Sequence, residues 1–252
     1  MVKVAVISYL NTLPFIYGLQ NHPVSKQMEL INCVPSEGAR LLAKGDADLG
    51  IIPVAAIPFI ENAKIVSNFC IGATARVDSV LLCSNVPLEE IKELYLDRDS
   101  LTSVTLARVL CKEYWKIAPE FIEYTFNSIT LNINRSYILI GDKALVEQDK
   151  FEYVYDLAQE WIDYRNKPFV FACWVANREL PDLFIKEFNA ALEYGVSHIE
   201  AALTNSSVAF SKELAISYLK NNISYNLDSS KRESLQDLWS LALEELKSKV
   251  RW

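Results

Sequence analysis

The 252-residue chain carries a net charge of −7, which argues against a general binder of nucleic-acid backbones, because that affinity needs clustered Lys and Arg. Hydrophobic residues make up 51% of the chain and charged residues 23%, a composition that argues against intrinsic disorder and predicts a compact globular fold. This length is enough for one large core or two smaller ones.

The beginning of the chain shows no secretory signal, and no stretch approaches the roughly 18 apolar residues of a membrane span. We therefore expect a cytoplasmic protein that binds neither nucleic acid nor membrane. Five scattered cysteines lack a C-x-x-C spacing, and there are only two histidines. This pattern predicts structural thiols and no metal site, while the oligomeric state is left open.

The chain opens with a β-branched run at residues 2 to 7, which predicts a buried strand ending in a polar loop. Residues 37 to 44 have apolar positions at helical spacing, and Gly45 is a typical helix stop. The run at residues 48 to 54 is again a strand that passes into a loop. This order predicts a mainly parallel α/β sheet, whose strand ends are where such sheets bind ligands.

A second tract repeats the pattern, with strands predicted at residues 79 to 83, 94 to 96, 137 to 142 and 169 to 175. From Pro181 onward the pattern is helical, with Phe184, Phe188 and Leu192 on one core-facing stripe. Crossovers between two lobes are expected near the strands at residues 80 to 83 and 172 to 175. We therefore predict a discontinuous lobe I, residues 1–83 and 175–252, and an inserted lobe II, residues 84–174.

Several segments at these strand-to-loop transitions, taken together and in order, carry a family resemblance. They are SYLNTLPF at residues 8 to 15, DLGIIPVAAIP at 48 to 58, LD at 96 and 97 followed by SLTSV at 100 to 104, IGDKAL at 140 to 145, and YDL at 155 to 157 with PFVFACW at 168 to 174. Over roughly residues 3 to 180 the chain resembles the chorismate dehydratases of the futalosine route to menaquinone.

The resemblance implies a two-lobed fold of the type-2 periplasmic-binding-protein kind, with the ligand cleft between the lobes. It also implies a hydro-lyase, a carbon–oxygen lyase that converts chorismate to 3-enolpyruvylbenzoate, 3-[(1-carboxyvinyl)oxy]benzoate, and water. The chain departs from the family pattern at residues 165 to 167, where RNK precedes the PFVFACW segment, and the cavity wall there is expected to differ.

Chorismate has two carboxylates, so its pocket needs two sets of donors. Ser100, Thr102 and Ser103 stand where a helix begins and could bind one carboxylate, although plain N-capping is the alternative. Ser79 could supply a further hydroxyl at the lobe junction, or be an ordinary turn residue. The resemblance assigns Asn11 a catalytic role, and the alternative is a turn-forming Asn.

The reaction removes a proton from C3 and hydroxide from C4 of the ring. Asp97 and Asp142 at strand ends are candidate proton acceptors, and Asp142 is also a candidate substrate-binding residue. We favour the enolpyruvyl carboxylate of the substrate itself as the base, with Asn11 assisting departure of the hydroxyl. Which group accepts the proton, and how far the lobes close, cannot be read from the sequence.

Aromatic residues are expected to line or back the pocket, and core packing is the alternative for each of them; they are Tyr9, Phe15, Phe169, Phe171 and Trp174. No phosphate loop or dinucleotide motif is visible, so we expect no cofactor. A non-catalytic solute-binding protein for a small carboxylate remains the main alternative, since it shares the fold. A second is 1,4-dihydroxy-6-naphthoate synthase, which typically relies on a histidine.

Overall fold

The buried apolar runs of the sequence form the strands of two mixed sheets. The structure is a computed structural model, and it describes residues 1–98, 100–125, 131–204 and 211–247. In these ranges the first sheet has the order β11-β4-β10-β3-β1-β2 and the second the order β7-β6-β8-β5-β9.

The strands of the first sheet are β1 (Val2–Ile7), β2 (Met28–Cys33), β3 (Leu49–Pro53), β4 (Lys64–Ala73), β10 (Phe169–Ala176) and β11 (Ser224–Asn226). Those of the second are β5 (Val80–Ser84), β6 (Glu93–Asp97), β7 (Glu120–Tyr124), β8 (Ser136–Ile140) and β9 (Tyr153–Asp156). The helices are α1 (Leu13–Asn21), α2 (Pro35–Lys44), α3 (Leu101–Val109), α4 (Asp142–Glu147), α5 (Leu157–Arg165), α6 (Asp182–Ser197), α7 (Ile199–Ala202), α8 (Lys212–Ser217) and α9 (Ser229–Lys247).

Strand direction differs from the expected mainly parallel sheet. β1 pairs in parallel with β2 and β3, and β6 pairs in parallel with β7 and β8. However, β10 runs antiparallel to β3 and β4, and β5 runs antiparallel to β8 and β9. The prediction was wrong here because β5 and β10 are the strands by which the chain enters each sheet from the other, and that entry reverses their direction. The C-terminal part is also not wholly helical, since it contains β11.

The chain changes sheets between β4 and β5 and returns between β9 and β10. The predicted division puts residues 80–83 in lobe I and residues 169–174 in lobe II. The pairing joins β5 to the second sheet and β10 to the first. The lobe boundaries themselves stay a prediction.

One large core spans both sheets, and a smaller cluster covers the far face of the second sheet. Leu82 and Ile138 belong to the large core, whereas their strand neighbours Leu81 and Leu139 belong to the smaller cluster. This alternation follows from the two-residue period of a strand, and it shows that the second sheet is buried on both faces. The predicted helical stripe of Phe184, Phe188 and Leu192 on α6 is buried. No described helix is both long enough and apolar enough to cross a membrane.

Local sequence explains where several helices begin and end. Pro35 stands in the first turn of α2, where its missing N–H is not needed, and Gly45 ends that helix with a φ of 75°. Asp156 caps α5 by accepting hydrogen bonds from the backbone N–H groups of Ala158 and Gln159. These ends fix the loops that lie between the two sheets.

Candidate functional site

Loops and strand ends of both sheets enclose one pocket. Its polar wall residues are Tyr9, Asn11, Thr12, Ser79, Ser100, Thr102 and Ser103, and its remaining wall consists of Ile7, Pro35, Pro53, Ile71, Val77, Val80, Ile140, Gly141, Phe171 and Ala172. The space free of protein atoms, including the open mouth, is about 570 Å³. Small-molecule sites are likewise mostly apolar with a few polar groups.

Asn11 lies in a short 3-10 turn, Leu10–Thr12, directly after β1. The turn is fixed by the Thr12 hydroxyl, which donates to the carbonyls of Ile7 and, at 2.8 Å, Tyr9. The Tyr225 hydroxyl donates to the Asn11 carbonyl at 3.2 Å. The backbone of Asn11 is therefore held from two sides while its side chain lies at the pocket wall.

The helix α3 presents its N-terminus to the pocket through the predicted hydroxyl cluster. Ser100 stands at the cap position, but its side chain makes no capping hydrogen bond. Ser100, Thr102 and Ser103 are all at least 93% buried. The Thr102 Oγ1 accepts a bond of 3.3 Å from the backbone N–H of Ala55, so that side chain also joins the two halves of the wall. An uncapped helix start offers free N–H groups and a positive dipole end to an anion.

Ser79 lies just before β5 and is 1% exposed. Its Oγ accepts a 2.7 Å hydrogen bond from the Tyr218 hydroxyl, and its carbonyl accepts one of 2.7 Å from the Gly141 N–H. Tyr218 was not predicted as a site residue. No local pattern marks it, because the contact joins residues 139 positions apart.

Gly141 and Tyr9 close another side of the pocket. Gly141 has a φ of 61°, a left-handed conformation that L side chains rarely adopt, and the Tyr9 ring lies against its Cα. The next residue, Asp142, begins α4 and accepts a 3.4 Å bond from the backbone N–H of Leu10. Burial raises the pKa of Asp142, although the bond from Leu10 opposes that change.

Neither candidate proton acceptor lies in the described pocket wall. Asp97 is 1% exposed and its Oδ2 is 3.7 Å from the Lys143 Nζ. Asp142 is turned toward the loop after β1, where it holds the N–H of Leu10. Among the described wall residues there is no Asp, Glu, His, Lys or Arg. The pocket thus offers hydroxyl, amide and backbone donors without a formal charge.

Two predicted substrate-binding aromatic residues are core residues. Phe169 packs against Trp161, with ring centroids 5.3 Å apart, and Trp174 packs against Phe188 at 5.0 Å; neither lies in the described wall. Phe171 does line the pocket, as does Ala172 beside it. The register of β10 shifts between Val170 and Ala172, so simple alternation does not tell which side chains face the ligand.

Of the predicted site residues, the structure therefore brings Tyr9, Asn11, Ser79, Ser100, Thr102 and Ser103 together and puts Asp142 just behind them. Their individual roles stay predictions. No group of three or more His, Cys, Asp or Glu side chains suited to a metal ion occurs in the described residues.

The chain matches a family model over residues 2 to 244, nearly its whole length, and that family is described as menaquinone biosynthesis. The chain belongs to the menaquinone biosynthesis family. A relative in Thermus thermophilus, a chorismate dehydratase, is 26% identical over an alignment of 191 residues, and the match covers 69% of this chain and 69% of that one.

Solved structures agree with the predicted fold. A protein from Archaeoglobus fulgidus superposes with a TM-score of 0.77 at 15% identity, over 97% of each chain. A Candida albicans protein described as having the generic periplasmic binding protein fold gives a TM-score of 0.58 at 14% identity, over 100% of this chain and 96% of that one. The predicted two-lobed, periplasmic-binding-protein-like α/β fold is thus confirmed for this member of the menaquinone biosynthesis family.

The departure at residues 165 to 167 lies away from the described pocket wall of this family member. Asn166 ends α5 in a left-handed conformation, with φ 54°. Lys167 and Arg165 both pair with Asp237 on α9, at 2.9 and 3.2 Å. The segment therefore attaches α5 to the last helix.

Proposed function

We propose that the chain is a chorismate dehydratase, a hydro-lyase that forms 3-enolpyruvylbenzoate and water from chorismate. The C3–H and C4–O bonds break, the C3 proton and the C4 hydroxide leave as one water, and the ring becomes aromatic. The similar Thermus thermophilus chorismate dehydratase and the membership of the menaquinone biosynthesis family support this proposal. We place the reaction in the futalosine route and in the cytoplasm.

The observation that carries the proposal is the make-up of the pocket. An apolar wall with Phe171 fits the ring, and separate polar groups, Ser100 to Ser103 on one element and Ser79 with Asn11 on others, fit the two carboxylates. The uncapped start of α3 suits a carboxylate, because its N–H groups are free and its dipole favours an anion. The substrate therefore meets donors at more than one end of an apolar space.

In this proposal the enolpyruvyl carboxylate takes the C3 proton, and the Asn11 amide donates to the C4 hydroxyl as it leaves. The absence of an ionisable carboxylate or imidazole from the described wall supports an acceptor carried by the substrate. Asp97 is engaged with Lys143, and Asp142 with the Leu10 N–H. Aromatisation supplies much of the driving force, so orientation is the main task of the protein. We propose that no cofactor takes part.

Incubating the purified protein with chorismate, without added metal or nucleotide, tests the function directly. A product lighter by 18 mass units, the formula mass of water, with an aromatic absorption spectrum is the expected result. Chorismate that is bound but returned unchanged would favour a solute-binding protein, which the fold also permits. The naphthoate synthase alternative is disfavoured, because His22 and His198 are not among the described wall residues.

Single variants test the residue roles. Asn11→Ala should lower kcat about 10²- to 10³-fold, the usual effect of removing one donor to developing negative charge. Asp97→Asn and Asp142→Asn should each keep substantial activity, since neither carboxylate is the base. Asn21→Ala, at the exposed end of α1, is a matched control expected to behave as wild type. Loss of activity in either Asp variant, with the fold intact by circular dichroism, would contradict the substrate-assisted step.

A further inference from the structure

Tyr218 makes contacts that join two of the polar groups in the pocket wall. Its hydroxyl donates to the Ser79 Oγ at 2.7 Å and also interacts with the side chain of Asn11. The phenol itself is 3% exposed and is not among the described wall residues. Tyr218 therefore lies behind Asn11 and Ser79 and is not part of the described pocket wall.

The element that carries Tyr218 is attached to the loop before Ser79 by further bonds. Tyr218 begins a π-helical turn, Tyr218–Asn222, that continues α8, and such turns are frequent at functional sites. At its other end the Asn222 Nδ2 donates to Asp78 at 2.7 Å and to the Arg76 carbonyl at 3.2 Å. With contacts at both ends of the turn, the phenol has little freedom to move relative to Ser79.

The phenol stays a neutral donor at neutral pH. Burial raises the pKa of Tyr218, and the nearby Asp142 carboxylate acts in the same direction. Its one proton is given to Ser79, so the phenol oxygen can interact with Asn11 only as an acceptor for an amide N–H. An amide N–H of Asn11 directed at the phenol would leave its carbonyl oxygen and second N–H for the pocket.

We propose that Tyr218 is a positioning residue for the dehydration, which orients the Asn11 carboxamide and the Ser79 hydroxyl toward the substrate. This inference rests on the proposed function. Because the oriented amide is needed most when the C4 hydroxyl leaves, the loss of Tyr218 is felt in the transition state more than in the bound substrate.

Tyr218→Phe removes the hydroxyl and keeps the ring. It should lower kcat for chorismate about 10- to 100-fold, with KM changed by less than about threefold, since small misplacements of a reacting group cost on this scale. Tyr124→Phe is the matched control. The Tyr124 hydroxyl is also buried and donates at 3.2 Å to the Ile138 carbonyl, but Tyr124 belongs to the small cluster on the far face of the second sheet. Rates are expressed per folded protein, measured by circular dichroism.

A double variant separates positioning from an independent role. In the Asn11→Ala background, followed at high enzyme concentration, Tyr218→Phe should lower kcat by a clearly smaller factor than it does in the wild-type background, because one of the two groups that it orients is already gone. A wild-type kcat in Tyr218→Phe overturns the inference, as does a full multiplication of the two losses. If wild-type protein forms no product, the proposed function fails as well; if only the Tyr218 results disagree, the function stands and this inference alone is lost.

Discussion

Asp156 shows how one buried carboxylate can hold the loop that delivers Ser79. One of its oxygens accepts from the N–H groups of Ala158 and Gln159 at the start of α5, at 3.0 and 3.1 Å. The other accepts from the N–H groups of Val77 and Asp78, at 2.9 and 2.7 Å. Asp156 is 1% exposed, so its carboxylate is shielded from water in the folded protein. Asp156→Ala removes all four acceptor contacts together.

The expected loss of stability follows from these contacts. Losing the helix cap costs about 1 kcal/mol. The Val77 N–H, which is buried, then lacks an acceptor at a cost of about 1 to 3 kcal/mol, while water can reach the half-buried Asp78. The total is about 3 kcal/mol. For a chain of this size that corresponds to a midpoint of thermal unfolding about 6 to 12 °C lower.

Thermal unfolding followed by circular dichroism measures this loss. Asp163→Ala is the matched control on the same helix, because Asp163 is exposed and accepts a 2.8 Å hydrogen bond from the Gln159 side chain. It should change stability by less than about 0.5 kcal/mol. The reasoning would be refuted if Asp156→Ala lowered the midpoint no more than Asp163→Ala does. With Ser79 only one residue beyond Asp78, we also expect a higher KM for chorismate.

Three further predictions concern other parts of the fold. Gly195→Ala should destabilise the protein by about 3 kcal/mol or prevent folding, because a Cβ would lie 1.9 Å from the Pro14 carbonyl oxygen. Gly38→Ala should be tolerated far better, because the nearest atom to its Cβ would be the Cys33 Sγ at 3.2 Å. Urea unfolding compares the free energies of unfolding of the two variants. Asp142→Asn should be more stable than wild type at pH 7, because burial raises the pKa of this carboxyl in the folded state and so disfavours its ionised form. The advantage should vanish below about pH 4, where the carboxyl of wild type is protonated in the folded and the unfolded state. A difference in thermal midpoint between variant and wild type that is the same at both pH values would contradict this. A thiol reagent at pH 7.4 should react only slowly with native protein, since burial raises the pKa of Cys33, the most exposed thiol, to about 11. After denaturation the reagent should react with all five thiols.

Local pattern was enough to find the strand ends where the pocket lies. The runs that become β1 and β6 end four residues before Asn11 and three residues before Ser100, and a buried strand and the polar loop after it are both visible within a few residues. Strand direction in β5 and β10 was not predictable, since it depends on how the chain crosses between sheets. Phe169 could not be told from Phe171, because residues two apart on a regular strand share a face and the register shift of β10 between Val170 and Ala172 is not visible in the sequence.

Tyr218 marks the limit of sequence reasoning most clearly. Its contact with Ser79 depends on the return of the chain, after the second sheet and α6, to the junction between the lobes. Nothing in the local sequence distinguishes this tyrosine from Tyr225 in β11, which is also buried in the core and donates to the Asn11 backbone. Only the three-dimensional arrangement shows that two C-terminal tyrosines hold one residue of the first loop.

The described residues of the pocket wall carry no formal charge, which has a chemical consequence if the substrate supplies its own base, as proposed above. An Arg or Lys beside the enolpyruvyl carboxylate would bind it more tightly but would also lower its pKa and make it a poorer proton acceptor. Hydroxyl and amide donors orient the carboxylate with a weaker effect of that kind. The net charge of −7 also keeps this carboxylate basic, because a negative potential raises the pKa of an acid in the site. A neutral, hydroxyl-rich pocket in an acidic protein would therefore bind a dianion less tightly than a basic pocket. In such a pocket one carboxylate of the dianion stays basic enough to accept a proton.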